Sequence, residues 1–116
     1  MDKEKRRERY IRDPLPVRLG GLAANLARIG SVSENPANRM AVDSMLHESK
    51  YFIEWTAVEF PIDVAVELIE LQLQLSSRHF NWTKNSENEE SRIEMSQWAK
   101  FQSKAVLERS GLLSEK

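Results

Sequence analysis

A chain of 116 residues, 41% hydrophobic and 30% charged, can bury one core and is too short for two domains. Its net charge of −1 and pI near 6.1 argue against bulk attraction to nucleic acid or an anionic membrane. Cysteine is absent, which excludes disulfides, thiolate catalysis and cysteine-held zinc and fits a reducing compartment.

Residues 1–12 form a short charged arm. Lys3, Lys5, Arg6, Arg7, Arg9 and Arg12 stand among Asp2, Glu4 and Glu8, and a segment of this kind is expected to be flexible. The run MDKEKRRERY is charged where the apolar stretch of a signal peptide would stand, so a cytoplasmic protein is expected.

Residues 13–113 are expected to fold as a single helical-bundle domain. Helix one starts at Asp13-Pro14, a good cap followed by the residue best tolerated in a first turn. Leu15, Leu19, Leu22, Leu26 and Ile29 form its apolar seam, Arg18, Asn25 and Arg28 its opposite face, and Gly30 its stop. The small residues Gly20, Gly21, Ala23, Ala24 and Ala27 leave room for a close neighbour, which the aromatics Phe52, Trp55, Trp98 and Phe101 are expected to fill.

Helix two starts at Asn35-Pro36 and turns Val42, Met45, Leu46, Phe52 and Ile53 inward, with Asp43, His47, Lys50 and Glu54 as a solvated stripe. Helix three starts at Pro61. Its polar stripe of Asp63, Glu67, Glu70 and Gln74 is flanked by two apolar seams, Ile62, Val66, Ile69, Leu73 and Val64, Leu68, Leu71, Leu75. These acids also keep this stretch short of the roughly 20 apolar residues of a membrane span. After a polar break at 81–88, Ser86 and Glu89 have the spacing of a capping box. Helix four carries Met95, Trp98, Phe101, Ala105, Val106 and Leu112 inward and ends at Gly111. Short connections make neighbours antiparallel, so the expected fold is all-α, an antiparallel four-helix up-down bundle with a charged N-terminal arm.

No motif assigns a catalytic residue, a cofactor or a metal. His47-Glu48 opens like the zinc motif H-E-x-x-H, but the fifth position is Tyr51. The Glu-x-x-His pairs of di-iron bundles are missing, since Ser44 precedes His47 and Ser76 precedes His79 at that spacing. Asn81-Trp82-Thr83 matches a glycosylation acceptor, which a cytoplasmic chain would not use. The arm, with Tyr10 among its bases, could touch phosphates, but its interleaved acids weaken the field.

Two resemblances bear on function. Glu67-x-x-Glu70 and Glu87-x-x-Glu90 resemble the paired acidic motifs of all-helical MazG-type nucleotide pyrophosphohydrolases, although Glu90 stands where that family has Asp. That resemblance implies a magnesium-dependent enzyme with Glu67, Glu70, Glu87 and Glu90 as metal ligands. The stretches RDPLPVRLGGLAANLARI (12–29) and ESKYFIEWT (48–56) resemble small uncharacterised all-helical proteins of cyanobacteria, which implies a bacterial setting and no activity.

The doubled seam of helix three is the main functional signal. A surface helix ordinarily carries one apolar stripe, so a second implies either a central position or a helix–helix interface between chains. The expected function is a non-enzymatic helical interaction or regulatory module, a homodimer with a possible further protein partner, using Val64, Leu68, Leu71 and Leu75. Trp82 either joins that surface or closes one end of the bundle.

Overall fold

The computed structural model describes residues 3–111. Among the described residues the chain is all-α, with five helices and no strand: α1 (Lys3–Ile11), α2 (Leu15–Val32), α3 (Arg39–Thr56), α4 (Ile62–Asn85) and α5 (Glu89–Ser110). Short 3-10 turns at Pro36–Asn38 and Ala57–Glu59 flank α3. None of these helices is long and apolar enough to cross a membrane.

The helix ends follow local chemistry, with some differences from expectation. Asn35 caps the turn before α3 by accepting from the Ala37 N–H. At the start of α5 the cap is Asn88, whose side chain accepts from the Ser91 N–H, and not Ser86. Ser86 is buried and donates to the Thr83 carbonyl, because α4 runs on to Asn85 through most of the expected break. Pro14, not Asp13, is the cap position of α2. Gly111 ends α5 at a φ of +80°, a left-handed conformation that glycine adopts without steric cost. Leu112 lies outside the described residues.

The centre of the fold is α2. Leu19, Leu22, Leu26 and Ile29 are buried, and so are Arg18 and Asn25, which spacing alone places on an exposed face. The reason is that α2 is packed on several sides, by α5, by α3 and by the end of α1. Asn25 reaches α3 by donating to the Met45 carbonyl (3.0 Å) and to Ser49 Oγ (2.8 Å). Against α5 the contact is small on small. Ser96 Oγ donates to the Gly30 carbonyl at 2.6 Å and Ser103 Oγ to the Ala23 carbonyl at 2.7 Å, with Ala99 buried between. These two pairs show that α2 and α5 run in opposite directions with closely approaching backbones, since the separation of packed helices follows the side chains at the contact.

Gly30 is therefore a contact residue inside α2 and not its stop. Two of the aromatics expected to fill this space do not: Phe101 is 70% exposed and Trp98 lies against α4. The aromatic that does approach a small residue of α2 is Tyr10, whose Cε1 comes within 3.7 Å of where a Cβ on Gly21 would sit.

The N-terminal arm is helical. A nine-residue helix is marginal alone, and α1 is held by tertiary contacts. Tyr10 stacks on Phe52 with ring centroids 4.2 Å apart, and its hydroxyl donates to the Arg18 carbonyl at 2.8 Å. Arg18 in turn donates to the Ile11 and Asp13 carbonyls and pairs with Glu59 at 2.9 Å, clamping the α1–α2 junction to the 3-10 turn that follows α3. Burial pushes the Tyr10 phenol up to about 12, despite the Thr56 hydroxyl beside it and the nearby Arg18 charge.

Candidate interaction face

The geometry of α4 decides which of its seams meets solvent. Leu68, Leu71 and Leu75 are buried and Val64 is half-buried, so the seam expected at the interface belongs to the core. Trp82 continues the same face: it is buried, and its indole N–H donates to the Arg39 carbonyl at the start of α3 (2.8 Å). Leu68, Leu71, Leu75 and Trp82 are therefore core rather than contact surface, and Val64 packs half-buried against them.

The flanks of α4 are occupied as well. Its polar stripe faces α5: Glu67 and Asp63 pair with Arg109 (2.8 and 3.4 Å), Gln74 accepts from the Trp98 indole (2.9 Å), and Arg78 pairs with Glu94 through two bonds of 2.6 and 2.7 Å. The Arg78 hydrogen bonds hold the Glu94 carboxyl below its usual range, and the Arg78 guanidinium lies 4.4 Å over the Trp98 ring. On the other flank Gln72 donates to the Lys50 carbonyl, and His79 Nε2 lies 3.0 Å from Asp43 Oδ1.

What remains outermost is the other apolar seam. Ile62 is 82% exposed, Val66 47%, Ile69 48% and Leu73 67%. Phe80, at 87%, extends it by two turns beyond Leu73. On an ordinary surface helix this face would be charged; here Asp63, Glu67, Gln74 and Arg78 bridge to α5 while this apolar seam faces water. The positions 62, 66, 69, 73, 76 and 80 recur at alternating spacings of four and three, a 3.5-residue period in which Ser76 is the one small member. Sequence reasoning misses Phe80 because the polar residues after it suggest that the helix stops nearby; its distance of seven from Leu73 is the signal that could have found it.

The four carboxylates of the enzyme reading do not converge. Glu67 and Glu70 lie in the first half of α4, whereas Glu87 and Glu90 lie beyond its C-terminus. At 1.5 Å per residue, the fifteen positions from Glu70 to Asn85 alone span about 22 Å. Among the described residues no three His, Asp or Glu side chains are grouped as a metal site requires.

Two of the cavities that adjoin α4 bear on function. One, of about 70 Å³, is lined by Leu19, Leu68, Leu71 and Val106 and bordered by Glu67 and Arg109; it falls below the roughly 300 Å³ of small-molecule sites. The other is an open groove of about 590 Å³ between α1, α3 and α4, with Lys3, Asp43, His47, Tyr51 and His79 on its walls. The His47 and His79 rings lie 5.6 Å apart. Burial first, then the charges of Lys50 and His79, lower the His47 pKa from its ordinary value. A nucleophilic triad would need a hydroxyl hydrogen-bonded to an imidazole; the partner of His79 here is the Asp43 carboxylate.

No known protein family, curated protein or solved structure matches this chain.

Proposed function

We propose that this protein is a non-enzymatic interaction module of the cytoplasm, in which α2 to α5 act as an antiparallel four-helix bundle with α1 appended, and that it self-associates through the outward seam of α4. The observation that carries this reading is the exposure of Ile62, Leu73 and Phe80 on the face opposite the core. Helix recognition uses apolar anchors at i, i+3 or i+4, and i+7 on one face. Ile62, Val66, Ile69 and Leu73 meet that pattern without giving up any core residue. The convergence of carboxylates that an enzyme of the nucleotide-hydrolase type needs is absent.

The test is the solution mass by light scattering across a hundredfold dilution, for the parent chain and for the double variant Ile69→Glu/Leu73→Glu. The parent is expected to approach twice its monomer mass when concentrated. The variant is expected to stay monomeric with unchanged helicity, because both substituted side chains face water. Substituting Leu68 and Leu71 in the same way would bury charge and unfold the chain, so it would not address the question. A parent that is monomeric throughout, or a variant that still doubles its mass, overturns self-association through this face.

A further inference from the structure

We infer that His47 of α3 and His79 of α4 together form a binding site for a divalent transition-metal ion of the zinc type, with Asp43 as its supporting carboxylate. The inference goes beyond the self-association reading and does not depend on it.

Spacing gives the first argument. The two histidines are the only ones in the chain and stand on different helices, so no motif along the sequence records them as a pair. Their rings lie 5.6 Å apart, centre to centre, and are inclined at 54°. With metal–nitrogen bonds of about 2.0–2.1 Å, an ion in the plane of a ring lies about 3.2 Å from its centre. Two rings on one tetrahedral ion are then about 5 Å apart, close to the separation found here.

Asp43 gives the second. It stands one turn before His47 on α3, and its Oδ1 lies 3.0 Å from His79 Nε2. A neutral imidazole that donates its Nε2 proton to a carboxylate carries its lone pair on Nδ1, the nitrogen left to bind an ion. Metal-binding histidines are commonly held by a carboxylate in this way, which fixes the tautomer and raises the basicity of the ligand.

The surroundings set the class of ion and the strength. Both rings line the open groove of about 590 Å³ between α1, α3 and α4, which gives an ion and its waters a path in. Two cations on its walls are engaged: Arg6 pairs with Glu48, and Lys3 lies 4.1 Å over the Tyr51 ring. Imidazole suits zinc, nickel and copper, whereas magnesium and calcium take oxygen ligands. Two imidazoles are fewer than the three or four protein ligands of a catalytic or structural zinc site, so water fills the other positions and binding is reversible. An ion held from both helices ties α3 to α4. It stabilises the folded state, because the unfolded chain has no preformed site.

The test is calorimetric titration of the full chain with zinc chloride, with magnesium chloride as the contrast. One zinc per chain is expected, no binding of magnesium, and a urea midpoint that rises with zinc. His47→Ala and His79→Ala should each lose both the binding and the rise. His47 is exposed, so His47→Ala is expected to keep the helicity of the parent. Asp43→Asn should keep the site and weaken it about 10–100-fold. No binding by the parent, equal binding of magnesium, or zinc binding that survives either alanine variant overturns the site. One zinc per two chains, with a mass that doubles only when zinc is present, would put the two ligands on different copies and overturn it as well. The variant Ile69→Glu/Leu73→Glu should bind zinc as the parent does, so the site and self-association stand or fall separately.

Discussion

Leu73 and Leu75 are two residues apart on one helix, and the structure gives them opposite roles. Leu75 is fully buried and Leu73 is 67% exposed. Truncating a buried leucine to alanine costs about 2–5 kcal/mol, from lost transfer energy and the cavity left behind. With a urea slope of about 2 kcal/mol per M, the midpoint of Leu75→Ala should fall by roughly 1–2.5 M. Leu73→Ala in dilute protein should stay within about 0.5 kcal/mol of the parent, because its side chain makes few contacts to lose. Concentrating the protein should separate the two further. A dimer stabilises the folded state by mass action, so the parent midpoint rises with concentration and Leu73→Ala fails to follow it, while the deficit of Leu75→Ala is already present in dilute protein. The gain available is modest. Burying Ile62, Leu73 and Phe80 of both chains releases roughly 9–18 kcal/mol at about 1.5–3 kcal/mol each, against an association cost of about 4–15 kcal/mol. Equal losses for Leu73→Ala and Leu75→Ala in dilute protein, measured by circular dichroism in urea, would refute the assignment of the two seams.

Two further predictions concern the supports of the fold. A Cβ on Gly30 would lie 2.6 Å from Lys100 Cγ and 3.2 Å from the Ser96 carbonyl oxygen, whereas one on Gly21 meets only Tyr10 Cε1 at 3.7 Å. Gly21→Ala should therefore stabilise by up to about 1 kcal/mol through helix propensity. Gly30→Ala should destabilise, since pushing α5 away costs about 1–3 kcal/mol; thermal melts that move the two variants in the same direction would contradict the close α2–α5 approach. Alkali should weaken the fold through Tyr10. Its folded pKa near 12 exceeds the ordinary phenol value of 10.0, so the folded state holds the proton that the unfolded state releases. The contribution, about 2–3 kcal/mol, is fully present below pH 10 and is lost as pH rises toward 12. Tyr10→Phe keeps the stacking but should remove this slope, and an unchanged alkaline slope in that variant would assign it to another group.

The helical character and some helix ends were legible in the sequence, because they rest on local chemistry. Asn35-Pro36, Pro61 and Gly111 act within one turn of themselves, and the 3.6-residue recurrence of leucines needs no partner to be recognised. The doubled apolar character of α4 was legible in the same way. What each face meets depends on neighbours distant in the chain, and only the tertiary structure decided that. The seams Ile62, Val66, Ile69, Leu73 and Val64, Leu68, Leu71, Leu75 are nearly equal in composition. The second turned inward because on that side of α4 lie Leu19 of α2 and Val106 of α5. Asp63 and Glu67 look like a solvated stripe until Arg109, more than forty residues away, is placed beside them. Arg18 and Asn25 are buried because α1, α3 and α5 close around α2, a demand that the local pattern of α2 does not record. Tyr10 likewise turns a charged arm into a docked helix only where Phe52 offers it a ring to stack on.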